Sequence, residues 1–301
     1  MAREAESGQA HEGDSRTGFL LALAAYLIWG ALPLYLHLLN SVPLLEVLAH
    51  RVFWSVPIAL AVLVALGRTQ DLRRAITAPR MLAMAGLTAA LVSINWGIYL
   101  YAIQSNRVMD AALGYYINPL FSVFLGAVFL RERLTAPQWA SVGLAGLAVA
   151  VLTWEAGTLP LLSLGLTISW GFYALFKRAL PIGPNQGFTL EVLLLLPFAS
   201  GYLAWLWSQG QLAFGHEGTA RTALLVGAGV VTAVPLMLYA NGAKRLRLTT
   251  IALMQYIAPT FVFLCAVLVF GESFDGGKRI AFPLIWAALA LYSVDLLRRR
   301  R

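Results

Sequence analysis

The chain alternates between long apolar stretches and short polar connections. Ten apolar runs can be delimited, at roughly 18–39, 44–66, 81–103, 109–130, 137–154, 159–179, 187–207, 221–241, 249–270 and 280–297. Most approach the ~20 residues that a helix needs to cross a hydrocarbon core. A membrane barrel would instead show ~10-residue segments of alternating polarity, and these are absent. The pattern therefore predicts an all-α integral membrane protein of ten transmembrane helices, with no connection long enough for a soluble domain. Residues 1–17 are polar, small and charged and read as a flexible tail. The run that follows Arg16 is too long for a signal-peptide core and lacks a clear small-residue cleavage site, so it reads as a span.

Composition narrows this further. The 301 residues are 59% hydrophobic and 12% charged, against about 25% charged in an ordinary soluble domain. The single cysteine, Cys265, excludes an internal disulfide framework and a multi-cysteine metal site. A net charge of +8 raises nucleic acid as a partner, but the basic residues sit in short clusters between apolar runs, where membrane proteins keep them. Side one (the N-terminal tail, the loops after even-numbered spans, the C-terminal tail) carries 17 Lys and Arg; side two carries 4, and Arg51 lies within the second span. The positive-inside rule then places both termini in the cytoplasm, in the inner membrane of a bacterial cell, and the basic 298–301 segment reads as a tail facing anionic lipid.

The two halves of the chain echo each other. "YYINPLFSVFLGAVFLRERL" (115–134) aligns with "QYIAPTFVFLCAVLVFGESF" (255–274): Tyr116, Ile117, Pro119 and Glu132 recur as Tyr256, Ile257, Pro259 and Glu272. Upstream, Trp29-Gly30 recurs as Trp170-Gly171, and Glu46-Val47-Leu48 as Glu191-Val192-Leu193. Four coincidences in the same order argue for a duplicated five-span unit, 18–154 and 155–297. Five is odd, so the second copy crosses in the opposite sense. Such inverted-topology repeats around a central cavity are the architecture of secondary transporters.

Several polar residues lie inside the apolar runs, and each admits two readings. Glu46 and His50 are four apart and share a helical face. Arg51 lies roughly 10 Å into the same span, a depth at which ionisable groups face a cavity or a partner. Arg51 reads either as a clamp for a substrate carboxylate or as a structural ion-pair partner; Glu46 and His50 read either as a proton-responsive pair or, for Glu46, as a helix-start cap. Asn95, Trp96 and Tyr99 offer hydrogen bonds and a stacking wall for a small organic ligand, or else a helix bridge and ordinary packing. Gly114, Tyr115, Asn118 and Ser122 share one face of the fourth span, and Gln255 and Ala258 occupy the equivalent face of the ninth. Pro119 and Pro259 remove a backbone hydrogen bond at matching places and mark hinges, tolerated where they face protein or a wet cavity. Glu191, without a His or Arg after it, reads as a local cap or gate contact. Arg107 and Asp110 read as a local pair.

The motifs "ALAAYLIWG" (22–30), "EVLAHRVFWS" (46–55), "INWGIYLYAI" (94–103), "LGYYINPL" (113–120), "LRERL" (130–134), "RLRLTTIALMQYIAPT" (245–260) and "FGESF" (270–274) resemble the RarD family, among the EamA-type transporters of the drug/metabolite transporter superfamily. The resemblance runs over essentially the whole chain. It implies ten helices in two inverted halves around a central cavity, and export of amino acids or other small metabolites. The expectation is a permease for small polar or amphipathic metabolites, working with protons or by facilitated diffusion, as a monomer or an oligomer. A scaffold subunit and a membrane enzyme are the other classes. No glycine-rich phosphate loop, HExxH or GxSxG motif occurs, and His11, His37, His50 and His216 lack metal-site spacing, so no cofactor, metal or catalytic residue is expected.

Overall fold

Helix formation follows from the apolar runs, since a backbone in hydrocarbon must satisfy its own polar groups. The computed structural model describes residues 15–298; the segments 1–14 and 299–301, with most of the two expected tails, lie outside the described residues. The helices are α1 (Arg16–His37), α2 (Leu44–Ala65), α3 (Thr69–Ile76), α4 (Pro79–Gln104), α5 (Val108–Phe129), α6 (Ala136–Ala156), α7 (Leu161–Ala179), α8 (Pro184–Ser208), α9 (Thr219–Ala243), α10 (Leu248–Met254), α11 (Ile257–Leu264) and α12 (Lys278–Arg298), with a π-helical turn at Cys265–Val269. Local signals set several starts. Ser15 accepts from the Gly18 amide, Thr135 and Gln138 form a capping box on α6, and Pro79 and Pro184 open α4 and α8, where a missing amide costs nothing.

Nine of the spans among the described residues are long and apolar enough to cross a membrane by themselves. The tenth, α7, carries Ser163, Thr167 and Ser169, which lower its apolarity but are buried. Their hydroxyls are satisfied inside the protein: Ser163 donates to the Asp110 carbonyl at 2.7 Å and Thr167 to the Gly114 carbonyl at 2.9 Å. Large apolar side chains such as Phe198, Leu268 and Trp154 project outward, 78%, 74% and 92% exposed. An outer shell of that kind suits lipid, not water.

Two elements differ from the pattern read in the sequence. A short amphipathic helix, α3, occupies the connection between the second and third apolar runs, with Leu72 and Ala75 buried and its charges outward. The run 249–270 is not one helix: it breaks at Gln255–Tyr256 and ends in the π-helical turn. Pro259 supplies no amide to the Gln255 carbonyl, so the break falls where a proline four residues on removes the ladder bond. Pro119, its repeat mate, lies inside a helix that runs unbroken from Val108 to Phe129.

Contacts between connecting segments fix the helix directions. The Ser15 amide donates to the Arg245 carbonyl and Gln186 to Asp71 on the basic face; Gln104 donates to the Val42 carbonyl and Glu272 meets the start of α5 on the opposite face. Helix neighbours exchange when each span is shifted by five. α1 packs on α9 and α11, and α7 packs on α4 and α5; α2 packs on α8, and α6 on α12. Two glycines at corresponding places in the two halves make like contacts. Gly30 lies so close to Phe261 that a methyl group would collide with its Cβ, and Gly171 lies equally close to the Phe121 ring.

The closest approach to backbone is at Gly229, where an added methyl would meet the main chain of Trp54 and Ser55. Gly229→Ala should lower the stability of the solubilised protein by about 1–3 kcal/mol, whereas Gly86→Ala, in open space on α4, should be neutral or mildly stabilising. Thermal melts of the two variants followed by size-exclusion chromatography check this; equal melting would mean that α2 and α9 are not held at the observed distance.

Candidate functional site

The first part of the site is built on α2. Its side chain at Arg51 is 2% exposed. Nε donates to Thr232 Oγ1 on α9 at 3.0 Å, and the guanidinium carbon sits 5.0 Å from the centre of the Trp96 ring on α4. Ser55, one turn on, bonds the Arg51 carbonyl at 2.6 Å and the Gly229 carbonyl at 3.2 Å. Tyr99 and Tyr115 lie within electrostatic reach of the guanidinium. Nη1 is buried without a hydrogen-bond partner, and among the described residues no carboxylate forms an ion pair with Arg51. A cation held in that way is supported by an aromatic face and a hydroxyl, with Nη1 left unpartnered.

The facing wall comes from α4 and α5. Asn95 is fully buried; its amide donates to the Leu166 carbonyl at 3.1 Å and to Ser169 Oγ at 3.0 Å, and its oxygen accepts from the Tyr115 hydroxyl at 3.2 Å. Asn95 thus ties α4 to α7 and sets the Tyr115 ring, which packs on Tyr99 at 5.4 Å between centroids. One turn further along α5, Asn118 is 7% exposed and its Oδ1 has no partner. Gln255 sits apart, at the break between α10 and α11, and is partly exposed. A cleft of about 460 Å³ opens elsewhere, between α5, α11 and α12, with Tyr116, Thr260 and Trp286 in its lining. The Arg51 cluster itself is closed by its own packing.

Glu46 and His50 sit above Arg51, toward the face opposite the basic one. The His50 Nε2 to Glu46 Oε1 distance is 3.8 Å, too long for a hydrogen bond. Glu46 Oε1 instead accepts from the amides of Ala213 and Phe214 at 2.8 and 3.2 Å, so the carboxylate holds the α8–α9 connection down on α2. His50 stacks on the Phe214 ring at 5.0 Å and accepts from Trp54 Nε1 at 3.2 Å. Glu46 Oε2 and His50 Nε2 remain buried without partners. A second carboxylate works similarly on the same face. Glu272 accepts from the Val108 and Met109 amides at 2.5 and 2.9 Å, capping α5. Burial pushes its carboxyl above the ordinary glutamate range, against the pull of those two amides and Lys278.

Toward the basic face, Glu191 does have a cationic mate. Lys177 of α7 lies 2.6 Å from its carboxylate, and the Tyr173 hydroxyl donates to it at 3.3 Å. Lys177 escaped the sequence reading because Lys177-Arg178 fitted the basic-loop pattern. Thr232 escaped it as an isolated hydroxyl in an apolar span, although polar residues at that depth are themselves a signal. Arg107 and Asp110 meet at 2.6 Å.

Known proteins can be set beside this geometry. Residues 16–154 match the EamA-like transporter family. A Vibrio cholerae protein named as an uncharacterized transporter is 42% identical over 95% of this chain and 94% of its own length. Protein RarD of Escherichia coli K12 is 38% identical over 96% of this chain and 97% of its own. A solved crystal structure at 20% identity superposes with a TM-score of 0.59, covering 94% of this chain and 98% of that one, and shares the fold. Ten packed apolar helices around a buried cation and aromatic wall, with these relatives, define a multi-pass membrane transporter of small molecules. The chain belongs to the RarD family of EamA-like transporters in the drug/metabolite transporter superfamily.

Glu46→Ala should loosen the α8–α9 connection. Losing a hydrogen bond to a charged acceptor costs about 1.5–3 kcal/mol, so amide exchange at Ala213 and Phe214 should quicken about 10- to 100-fold. Hydrogen–deuterium exchange with mass spectrometry reads this; unchanged protection would show that the connection is held by the His50–Phe214 stack alone.

Proposed function

We propose that this protein is a secondary transporter that exports small polar or amphipathic metabolites carrying a carboxylate, by alternating access, with Arg51 as the carboxylate clamp. The observation that carries the reading is the Arg51 guanidinium, buried, unpaired with any described carboxylate, and with Nη1 open. Placing a charge there is costly, and a passing anion returns that cost during transport. Trp96, Tyr99 and Tyr115 form the wall for the substrate body, Asn118 Oδ1 accepts a donor from it, and Asn95 sets Tyr115. Gln255 lies on the pathway at the helix break. Pro119 and Pro259 act as unequal hinges, the second already broken. Glu46 and His50 form the proton-responsive pair, with protons as the coupled ion. Segments 18–154 and 155–297 are the two inverted repeats, supported by the exchange of helix neighbours and by the paired Gly30–Phe261 and Gly171–Phe121 contacts. The basic face is cytoplasmic, with both termini there, and the membrane is the bacterial inner membrane.

Flux of a mixture of amino acids and small organic acids from reconstituted liposomes tests the reading. Arg51→Ala should abolish flux with folded protein retained, and Arg51→Lys should reduce it about tenfold or more, because lysine keeps the charge and loses the two-point fork. Normal flux in Arg51→Ala would sink the clamp. No flux in the native protein would favour a scaffold, and chemical conversion of a mixture component would favour an enzyme. Orientation is checked separately: a reporter enzyme fused to the C-terminus should be active only in the form that reads the cytoplasm.

A further inference from the structure

We infer that the two bodies that move against each other in this transporter are not its sequence halves. Each is a four-span unit that mixes both halves: one holds α1, α2, α9 and α10–α11, the other α4, α5, α7 and α8, with α6 and α12 packed together at the periphery. The inference rests on the transport reading above and adds its moving parts.

Helices move as one body where backbones touch and hydrogen bonds cross between them; they slide where apolar side chains alone meet. Within the first unit the backbones nearly touch. Gly229 lies on the Trp54 main chain, Gly242 on the Ala22 amide and Gly18 carbonyl, and Gly30 on Phe261. Polar bonds reinforce the contacts with α9: Tyr35 donates to the Leu224 carbonyl, Ser55 to the Gly229 carbonyl, Arg51 to Thr232. The second unit repeats the arrangement. Gly114 lies on the Ser163 carbonyl and Gly171 on Phe121. Asn95 and Thr167 tie α4 and α5 to α7, and Glu191 with Lys177 and Tyr173 ties α8 to α7.

Between the units the chemistry changes. α2 packs on α8, and Val52 and Val56 of the one share an apolar cluster with Phe188, Val192 and Ala199 of the other. None of the glycines at which an added methyl would collide joins an α1, α2, α9 or α11 helix to α4, α5, α7 or α8. The polar bonds that do cross these helices and their connections include Tyr116 to Thr260 at 2.8 Å and two on the face opposite the basic one. Those two are Gln104 to the Val42 carbonyl and Glu272 to the start of α5. They close that face and have to break for it to open.

The candidate site divides along the same seam. Arg51, Glu46 and His50 belong to the first unit; Asn95, Trp96, Tyr99, Tyr115 and Asn118 belong to the second. A molecule bound to both Arg51 and Asn118 therefore bridges the moving bodies. Separation of the bodies takes the Trp96 face away from Arg51 and changes the affinity, the differential interaction that alternating access requires.

Spin labels on the full-length protein in lipid nanodiscs, read by double electron–electron resonance, test the assignment. Labels at Leu38 and Ala220 sit at the same face on one unit but in different sequence halves; labels at Tyr101 and Trp207 do the same on the other unit. Leu38 with Tyr101, and Ala220 with Trp207, join different units within one half. The perturbation is Glu272→Ala, with Gln104→Leu as an independent second variant. The expected result is fixed distances for Leu38–Ala220 and Tyr101–Trp207, and a shift to longer distances for the other two pairs in either variant. Movement of Leu38–Ala220 with Leu38–Tyr101 fixed would establish the sequence halves as the bodies and overturn the inference. So would four fixed distances in both variants, since the closing bonds would then hold nothing that moves. Liposome flux in the unlabelled protein is independent of this readout, so failure of the transport reading is told apart from failure of the assignment.

Discussion

Hydrocarbon offers no hydrogen bonds, so each polar group that this chain carries into the membrane must find its partner inside the protein. That constraint explains most of the structure. Serine and threonine hydroxyls turn back to carbonyls of their own helix or of a neighbour, as Ser163, Thr167 and Thr232 do. Glycines let helices approach until a carbonyl or hydroxyl on one can be reached from the next. α7 is the clearest case: its three hydroxyls and the Asn95 amide are satisfied among α4, α5 and α7.

The same constraint makes the exceptions informative. Arg51 Nη1, Asn118 Oδ1, Glu46 Oε2 and His50 Nε2 are buried without hydrogen-bond partners, as are a few atoms elsewhere, among them Asn40 Oδ1, Asn185 Oδ1 and Gln186 Oε1. The first four lie on α2 and α5. An unmet donor on Arg51 and an unmet acceptor on Asn118 near one aromatic wall are what the proposed carboxylate clamp rests on. Glu46 shows that a buried carboxylate can have structural duties as well, since one of its oxygens is engaged by two loop amides and the other is unengaged.

Much of this was legible in the residues. Length and apolarity determine where a helix can cross lipid, so the spans and the repeated motifs were readable, and Arg51 stood out because a charge at that depth needs a reason. The repeat mates Gly30 and Gly171 proved to occupy equivalent contacts. Other features depend on partners that are distant in sequence. That Glu46 would hold the Ala213 and Phe214 amides, or that Lys177 would turn inward to Glu191, is decided by the packing of α8 against α2 and α7, and local spacing carries no trace of it. The break at Gln255 rather than at its repeat mate Tyr115 is similar: both helices contain the proline four residues on, and only their surroundings decide which backbone yields.

The bonds that secure α1 and α2 have a consequence for how the chain is made. Tyr35, Arg51, Ser55 and Glu46 meet partners 189, 181, 174 and 167 residues further along. A ribosome adds roughly 5–20 residues each second, so for many seconds the first two helices sit in the bilayer with their polar groups unmatched. Arg51 waits through that interval with water or lipid headgroups for company. These bonds form only once α9 has been made, and the nascent N-terminal half is exposed to quality control for the whole of that delay.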